Sequence, residues 1–398
     1  MPARRLPTIA AALSLLFAMA CITRPVAAEE ERFAFTPVEA ESARLFYQDG
    51  IPIAVVSGTP EEIARQHAAL LATPAKYVLT FPKRLAKEFG VDTYWPLMVG
   101  AANLLMHNAP ERHRQELTAL AAAGELDAGQ LAVGNTLLEL RRMGCSTLIV
   151  EKEHSATGAP LFGRNFDFIT LGELDQYSLL MIVRPKDRHA FATITFPGAV
   201  GVFSAMNDAG LAIATLDVYD TADGSPAFNA AGMPLTLAFR RIVEECTTVA
   251  EAEELLRSIR PTTWMNLAVC DRDGAAVFEI TPKTIGRRDP ESGVLACTNH
   301  FRTEGLTVQE DCWRFPELMA AAKQEPLTVE AVRERLHATN QGKFTMQTMV
   351  FEPRDLAVHL AFGKPPTSDD KLTRIELGPL FEAEQVQSAV ALPLAAPQ

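Results

Sequence analysis

Cys145 follows Gly144 directly and is followed by Ser146, Thr147 and Leu148, so a thiol stands at the start of a predicted strand. At that position the sequence predicts a side chain exposed at a sheet end. Whether a thiol reacts depends on its proton, and that depends on its neighbours. Gly163-Arg164-Asn165-Phe166-Asp167 reads as the return strand of a hairpin, which would bring Arg164 and Asp167 beside Cys145. There the arginine would favour a thiolate and the carboxylate would hold an ammonium group. The same residues also read as a buried structural cysteine and an ordinary hairpin ion pair.

The elements around these residues fall into two parts. Residues 33–56 carry short extended pieces and predict a hairpin. Thr59, Pro60, Glu61 and Glu62 then give a helix start signal, and helices are expected at 60–71, 82–89, 95–107, 110–123 and 127–143. At Gly144 the pattern changes to β-rich runs at 145–151, 161–168, 178–183, 190–195, 202–205 and 211–216. A helix pair follows at 234–245 and 248–259, then strands at 266–271, 275–281, 284–287 and 293–296. A second helix pair at 312–322 and 328–337 precedes strands at 345–352 and 357–361. That order predicts an α/β fold, a four-layer αββα sandwich, behind a mainly helical segment that ends at Gly144.

The 398 residues are 48% hydrophobic and 22% charged, enough apolar material for a large core. A net charge of −12 and a pI near 5.3 exclude a nucleic-acid partner, which would need clustered Lys and Arg. Arg4 and Arg5, an apolar run over 9–20 and Val26-Ala27-Ala28 before Glu29 read as a secretory signal removed after Ala28. The run is short for a membrane span. The mature chain is thus expected in the periplasm or outside the cell, with membrane attachment only if Cys21 is lipidated. Cysteines at 21, 145, 246, 270, 297 and 312 show no metal-ligand spacing, so no metal site is expected.

Further motifs run in order across residues 145–361. They are Asn207-Asp208-Ala209-Gly210-Leu211 leading to Asp217, Thr298-Asn299-His300-Phe301, Arg314-Phe315 after Asp311, and Thr345 through Phe351. With the Gly-Cys-Ser-Thr and Gly-Arg-Asn-x-Asp strings, the chain resembles the penicillin acyltransferase-like peptidases and, more distantly, the choloylglycine hydrolases, both N-terminal-nucleophile enzymes. Residues 58–71 resemble the first propeptide helix of the acyltransferase branch, with Ala64 and Ala68 where glycines are usual.

The resemblance implies that the chain cuts itself between Gly144 and Cys145 and that Cys145 is then the nucleophile. It implies Arg164, Asp167 and Arg314 as supports, and an oxyanion hole from the Asn299 side-chain amide and the Asp217 backbone N–H. Residues 29–144 and 145–398 would be the two products, the first remaining as a partner of the second. The implied reaction is hydrolysis of a linear amide in a small N-acylated molecule, without metal or cofactor. Acyl transfer to an amine, or a non-catalytic secreted binding protein of the same fold, are the alternatives. His300 is expected to be structural, because the new α-amine takes the role of base. Trp264, Phe203, Phe301 and Trp313 read as acyl-pocket lining or as plain core. Cys297 and Cys312 flank the Asn299 loop, where a disulfide would stiffen it.

Overall fold

The computed structural model describes residues 33–40, 42–136, 144–308, 311–324 and 326–382. The leader, Cys21 and the end of the helix expected at 127–143 lie outside them. The N-terminal hairpin comprises β2 (Ala43–Gln48) and β3 (Ile51–Gly58), preceded by the short β1 (Val38–Ala40). Thr59 caps α1 (Pro60–Val78) through a capping box with Glu62. This helix runs past its predicted end at 71 and through Pro74. Burial of Ala75, Val78 and the following Leu79 offsets the cost of about 3 kcal/mol for an internal proline. Four more helices follow: α2 (Phe81–Glu88), α3 (Trp95–Met106), α4 (Glu111–Gly124) and α5 (Ala128–Asn135).

From Gly144 onward the chain builds two antiparallel blocks. A six-stranded sheet contains β4 (Gly144–Val150), β5 (Leu161–Asp167), β13 (Val294–Cys297), β14 (Thr345–Glu352), β15 (Ala357–Phe362) and β16 (Thr373–Glu376). The ten-stranded sheet joins β1 to β3 with β6 (Leu179–Pro185), β7 (Phe191–Thr195), β8 (Ser204–Asn207), β9 (Ala212–Asp217), β10 (Met265–Cys270), β11 (Ala275–Ile280) and β12 (Ile285–Arg288). Strand alternation settles the layering. On the smaller sheet Cys145, Ile149, Phe162, Phe166 and Cys297 belong to the core between the sheets. Leu148, Val150, Leu161, Val294 and Ala296 pack on the opposite face against Leu318 of α8 (Arg314–Met319) and Val332 and Leu336 of α9 (Val329–Ala338). Helices α1, α6 (Leu235–Glu245) and α7 (Val249–Ser258) cover the larger sheet. The result is a four-layer αββα sandwich.

The segment before Gly144 is woven into this sandwich. Strand β3 runs parallel to β6, with Ile53 opposite Leu180 and Val56 opposite Val183. A buried polar seam adds to it. Arg240 of α6 is 1% exposed and donates to both Glu116 oxygens at 2.8 and 2.7 Å, to Glu244 at 2.8 Å and to the Val200 carbonyl at 3.1 Å. His113 of α4 meets Glu244 at 2.9 Å. Asn135 accepts from the Val200 and Gly201 amides at 2.7 and 3.1 Å and donates to the Gly198 carbonyl at 3.0 Å.

His67 of α1 accepts from the Gly198 amide at 3.0 Å, which requires its neutral form. Burial, reinforced by the nearby Arg240 charge, lowers its pKa to about 4. The unfolded histidine titrates near ~6.5, so between those values the unfolded chain binds the extra proton and stability falls as pH falls. Wild type should lose about 3 kcal/mol more than His67→Gln on going from neutral pH to pH ~4. Denaturant unfolding across that window checks this; parallel curves for the two proteins would refute it.

Candidate active site

Pairing of β4 with β5 sets Gly144 opposite Asp167, Cys145 opposite Phe166 and Thr147 opposite Arg164. Side chains of Cys145, Phe166 and Arg164 therefore share the face between the sheets, while Asp167 lies on the other face at the strand end. Arg164 Nη2 is 3.4 Å from the Cys145 sulfur, and its Nη1 donates to the Phe203 and Thr215 carbonyls of the larger sheet at 3.3 and 2.7 Å. The guanidinium is thus fixed from both sheets.

Cys145 is fully buried, contrary to the expectation of an exposed strand-initial thiol. Strand β4 begins one residue earlier, at Gly144, and the cysteine side chain points into the inter-sheet core. Burial pushes its pKa up to about 11. Arg164 pulls the other way and is outweighed, so the uncut chain holds a protonated thiol.

The peptide around this residue is held on several sides. The Cys145 N–H donates to Asn299 Oδ1 at 2.8 Å, and Arg314 Nη1 donates to the Cys145 carbonyl at 2.6 Å. Arg314 Nη2 also donates to Asn299 Oδ1 at 3.0 Å, while Asn299 Nδ2 donates to the Asp217 carbonyl at 2.7 Å. Asn299 thus ties the end of β9 to the Gly144–Cys145 peptide through both ends of its amide. Thr345 donates to Asp167 Oδ1 at 2.6 Å. Asp167 Oδ2 is buried without a hydrogen-bond partner among the described residues, 3.9 Å from Arg314 Nη1. Burial raises this carboxyl to about 6, against the lowering effects of Thr345, Arg314 and Arg164. A side chain at position 144 would put its Cβ 3.1 Å from the Asp167 Cβ and 3.4 Å from Oδ2, so the close approach calls for glycine.

The residues singled out by sequence, Gly144, Cys145, Arg164, Asp167, Asp217, Asn299 and Arg314, gather around Cys145, with Asp217 joined through Asn299. Two contributors were missed. Thr345 opens the Thr345–Phe351 motif without an assigned role, and Asn266 of β10 donates to the Thr298 and His300 carbonyls at 3.0 and 3.1 Å, holding the Asn299 loop. An asparagine inside an otherwise apolar strand was the available signal. The Cys297–Cys312 disulfide is not formed. Cys297 faces the inter-sheet core, whereas the half-buried Cys312 lies 3.5 Å from the Thr298 hydroxyl. Burial raises the Cys312 pKa, but hydrogen bonds with His300 and Thr298 outweigh it and bring the thiol to about 6.

A small apolar cavity of about 50 Å³, partly open to solvent, is lined by Phe166, the residue paired opposite Cys145. Val78, Leu79 and Phe81 line it from the N-terminal helices, and Phe168 and Phe203 line it with Phe166 from the sandwich. No charged side chain lines it among the described residues. Of the four aromatics weighed from sequence, Phe203 is at this wall. Trp264 and Phe301 instead form a small cluster with Val218 and Leu306, and Trp313 is 61% exposed.

A family model described as acyl-coenzyme A:6-aminopenicillanic acid acyl-transferase matches residues 153–366. An uncharacterized protein of Archaeoglobus fulgidus is 27% identical over 239 residues, a match covering 51% of this chain and 39% of that protein. The chain therefore spans 39% of the length of the curated relative it matches. Among solved structures, the Caenorhabditis elegans ortholog of N-acylethanolamine-hydrolyzing acid amidase is 14% identical with a TM-score of 0.41, covering 58% of this chain and 100% of that one. A variant of the conjugated bile acid hydrolase from Clostridium perfringens is 14% identical at 0.42, covering 59% and 93%. Penicillin V acylase from Agrobacterium tumefaciens is 12% identical at 0.38, covering 55% and 83%.

Proposed function

The chain belongs to the acyl-coenzyme A:6-aminopenicillanic acid acyl-transferase family, whose model matches more than half of it, and on that footing we propose that it is a self-cutting cysteine enzyme acting on linear amides of small N-acylated molecules. The observation that carries this reading is the hold of Asn299 on the Cys145 N–H of the Gly144–Cys145 peptide and of Arg314 on the Cys145 carbonyl, with Arg164 at the sulfur.

In the precursor the Cys145 sulfur adds to the Gly144 carbonyl carbon. The C–N bond then breaks, the Cys145 nitrogen leaves as an amine carrying the thiol proton, and a thioester joins Gly144 to the sulfur. Water hydrolyses it to the Gly144 carboxylate and a free thiol. The new α-amine has a reference pKa of about 7.7 to 8.0, so near neutrality part of it is unprotonated and accepts the thiol proton. Support for this role comes from the Asn299 Oδ1 contact to that nitrogen and from the buried Asp167 Oδ2 beside Gly144.

In turnover the thiolate adds to the substrate carbonyl, the leaving amine departs with the proton from the Cys145 ammonium, and water releases the acyl group. The Asn299 amide and the Asp217 backbone N–H are the proposed oxyanion donors, each worth roughly 10²- to 10³-fold in rate. Arg314 orients Asn299. The acyl group is apolar, because the described residues lining the cavity beside Phe166 offer hydrocarbon and glycine. Residues 29–144 stay bound after the cut, held by the parallel β3–β6 pairing and the Arg240 seam. The leader directs export to the periplasm or the exterior and is removed after Ala28. The family description favours a second reading in which an amine acceptor replaces water on the thioester; product analysis with and without added amines separates the two. N-terminal sequencing of purified protein tests the central claim: a fragment must begin at Cys145, and an active enzyme in one unbroken chain would overturn it.

A further inference from the structure

The acyl cavity lies between two distinct hydrophobic clusters. Cys145, Phe166, Phe168 and Phe203 belong to the main inter-sheet core, while Leu79 belongs to a smaller cluster with Leu120 and Leu131 of the N-terminal helices and with Val200 and Leu237. Leu79 thus lines the cavity from the N-terminal segment and packs outside the main core. It is 4% exposed, and two glycines that also line the cavity flank it. A Cβ at Gly198 would lie 3.2–3.3 Å from three Leu79 carbons, and one at Gly134 would lie 3.0 Å from its Cδ2. Neither glycine has a side chain that fills space beside the leucine. The isobutyl group of Leu79 therefore packs directly over both glycines at the cavity wall.

Resting on the amide-cleaving reading above, we propose that Leu79 sets the longest acyl chain the enzyme accepts. The residue precedes the self-cutting point, so selection of the acyl group is a property of the N-terminal fragment while the sulfur belongs to the C-terminal one. The chemistry selected is an uncharged aliphatic or arylalkyl chain, since among the described residues no polar side chain lines the cavity to meet a charge or hydroxyl. Shortening Leu79 opens space next to Gly134 and Gly198, and each extra methylene buried there is worth about fourfold in kcat/KM.

The test uses processed full-length enzyme and a series of N-acyl aminomethylcoumarin amides from acetyl to dodecanoyl, with active sites counted by burst titration. In wild type kcat/KM should rise with chain length and then break. Leu79→Ala should move the break to chains longer by two or three carbons, raising the ratio of long-chain to short-chain kcat/KM by roughly tenfold or more. Leu79→Val, which disturbs packing less, should move it the same way by a smaller step. Ala199→Leu, on the sandwich side of the same cavity, should move it to shorter chains. An unchanged break in all three, with amides still cleaved, overturns the role of Leu79 and leaves the amidase reading intact. Failure of wild type to cleave an amide of any length overturns both.

Discussion

Cys145→Ala should accumulate as a single uncut chain, and its amidase rate should fall by about 10⁶-fold, the scale seen when a covalent nucleophile is removed. Both losses have one cause, because the same sulfur opens the Gly144 peptide and receives the acyl group. The substitution sits in the inter-sheet core but removes only one heavy atom, so unfolding should shift by no more than about 1 kcal/mol. Denaturing electrophoresis, intact mass and turnover under matched active-site counts give the three readouts. A variant that is still cut at position 145, or that keeps measurable turnover, would show that another group initiates the chemistry.

Glu116→Ala should destabilise the folded chain by about 3 kcal/mol. It strips Arg240 of a bidentate partner at a position that is 1% exposed, leaving the charge with Glu244 and the Val200 carbonyl. Adding Arg240→Met should not recover the loss, since buried Glu244 then keeps only His113 at 2.9 Å and Arg112 at 3.7 Å. Denaturant unfolding of the Cys145→Ala background, which keeps one chain, measures both steps. A cost below about 1 kcal/mol would mean that Arg240 finds other partners once Glu116 is gone.

Much of this architecture was written locally. Thr59 caps the helix whose start it announced, Thr248 and Thr328 cap helices at the predicted starts, and the predicted return of Arg164 and Asp167 to Cys145 is the observed register of β4 and β5. What the sequence did not disclose depends on distant residues. The parallel pairing of β3 with β6 joins strands far apart in the chain, and neither strand carries a signal of the other. Burial of Cys145 follows from the larger sheet covering its face of β4, a contact with residues distant in the chain. Glu116, His113 and Arg240 look like ordinary polar positions on amphipathic helices until α4 and α6 are laid against each other. Strand β16 is short and was not recognised.

The interleaving of β1 to β3 with the rest of the larger sheet has a consequence for the lifetime of a nicked molecule. A contact that was made within one chain during folding becomes, once the 144–145 bond is gone, a contact between two. Denaturation would let the pieces diffuse apart, and recovery would then depend on their concentration as a second-order encounter. Such a protein would assemble once, as a precursor, and afterwards persist by the slowness of its opening more than by its equilibrium with the separated halves.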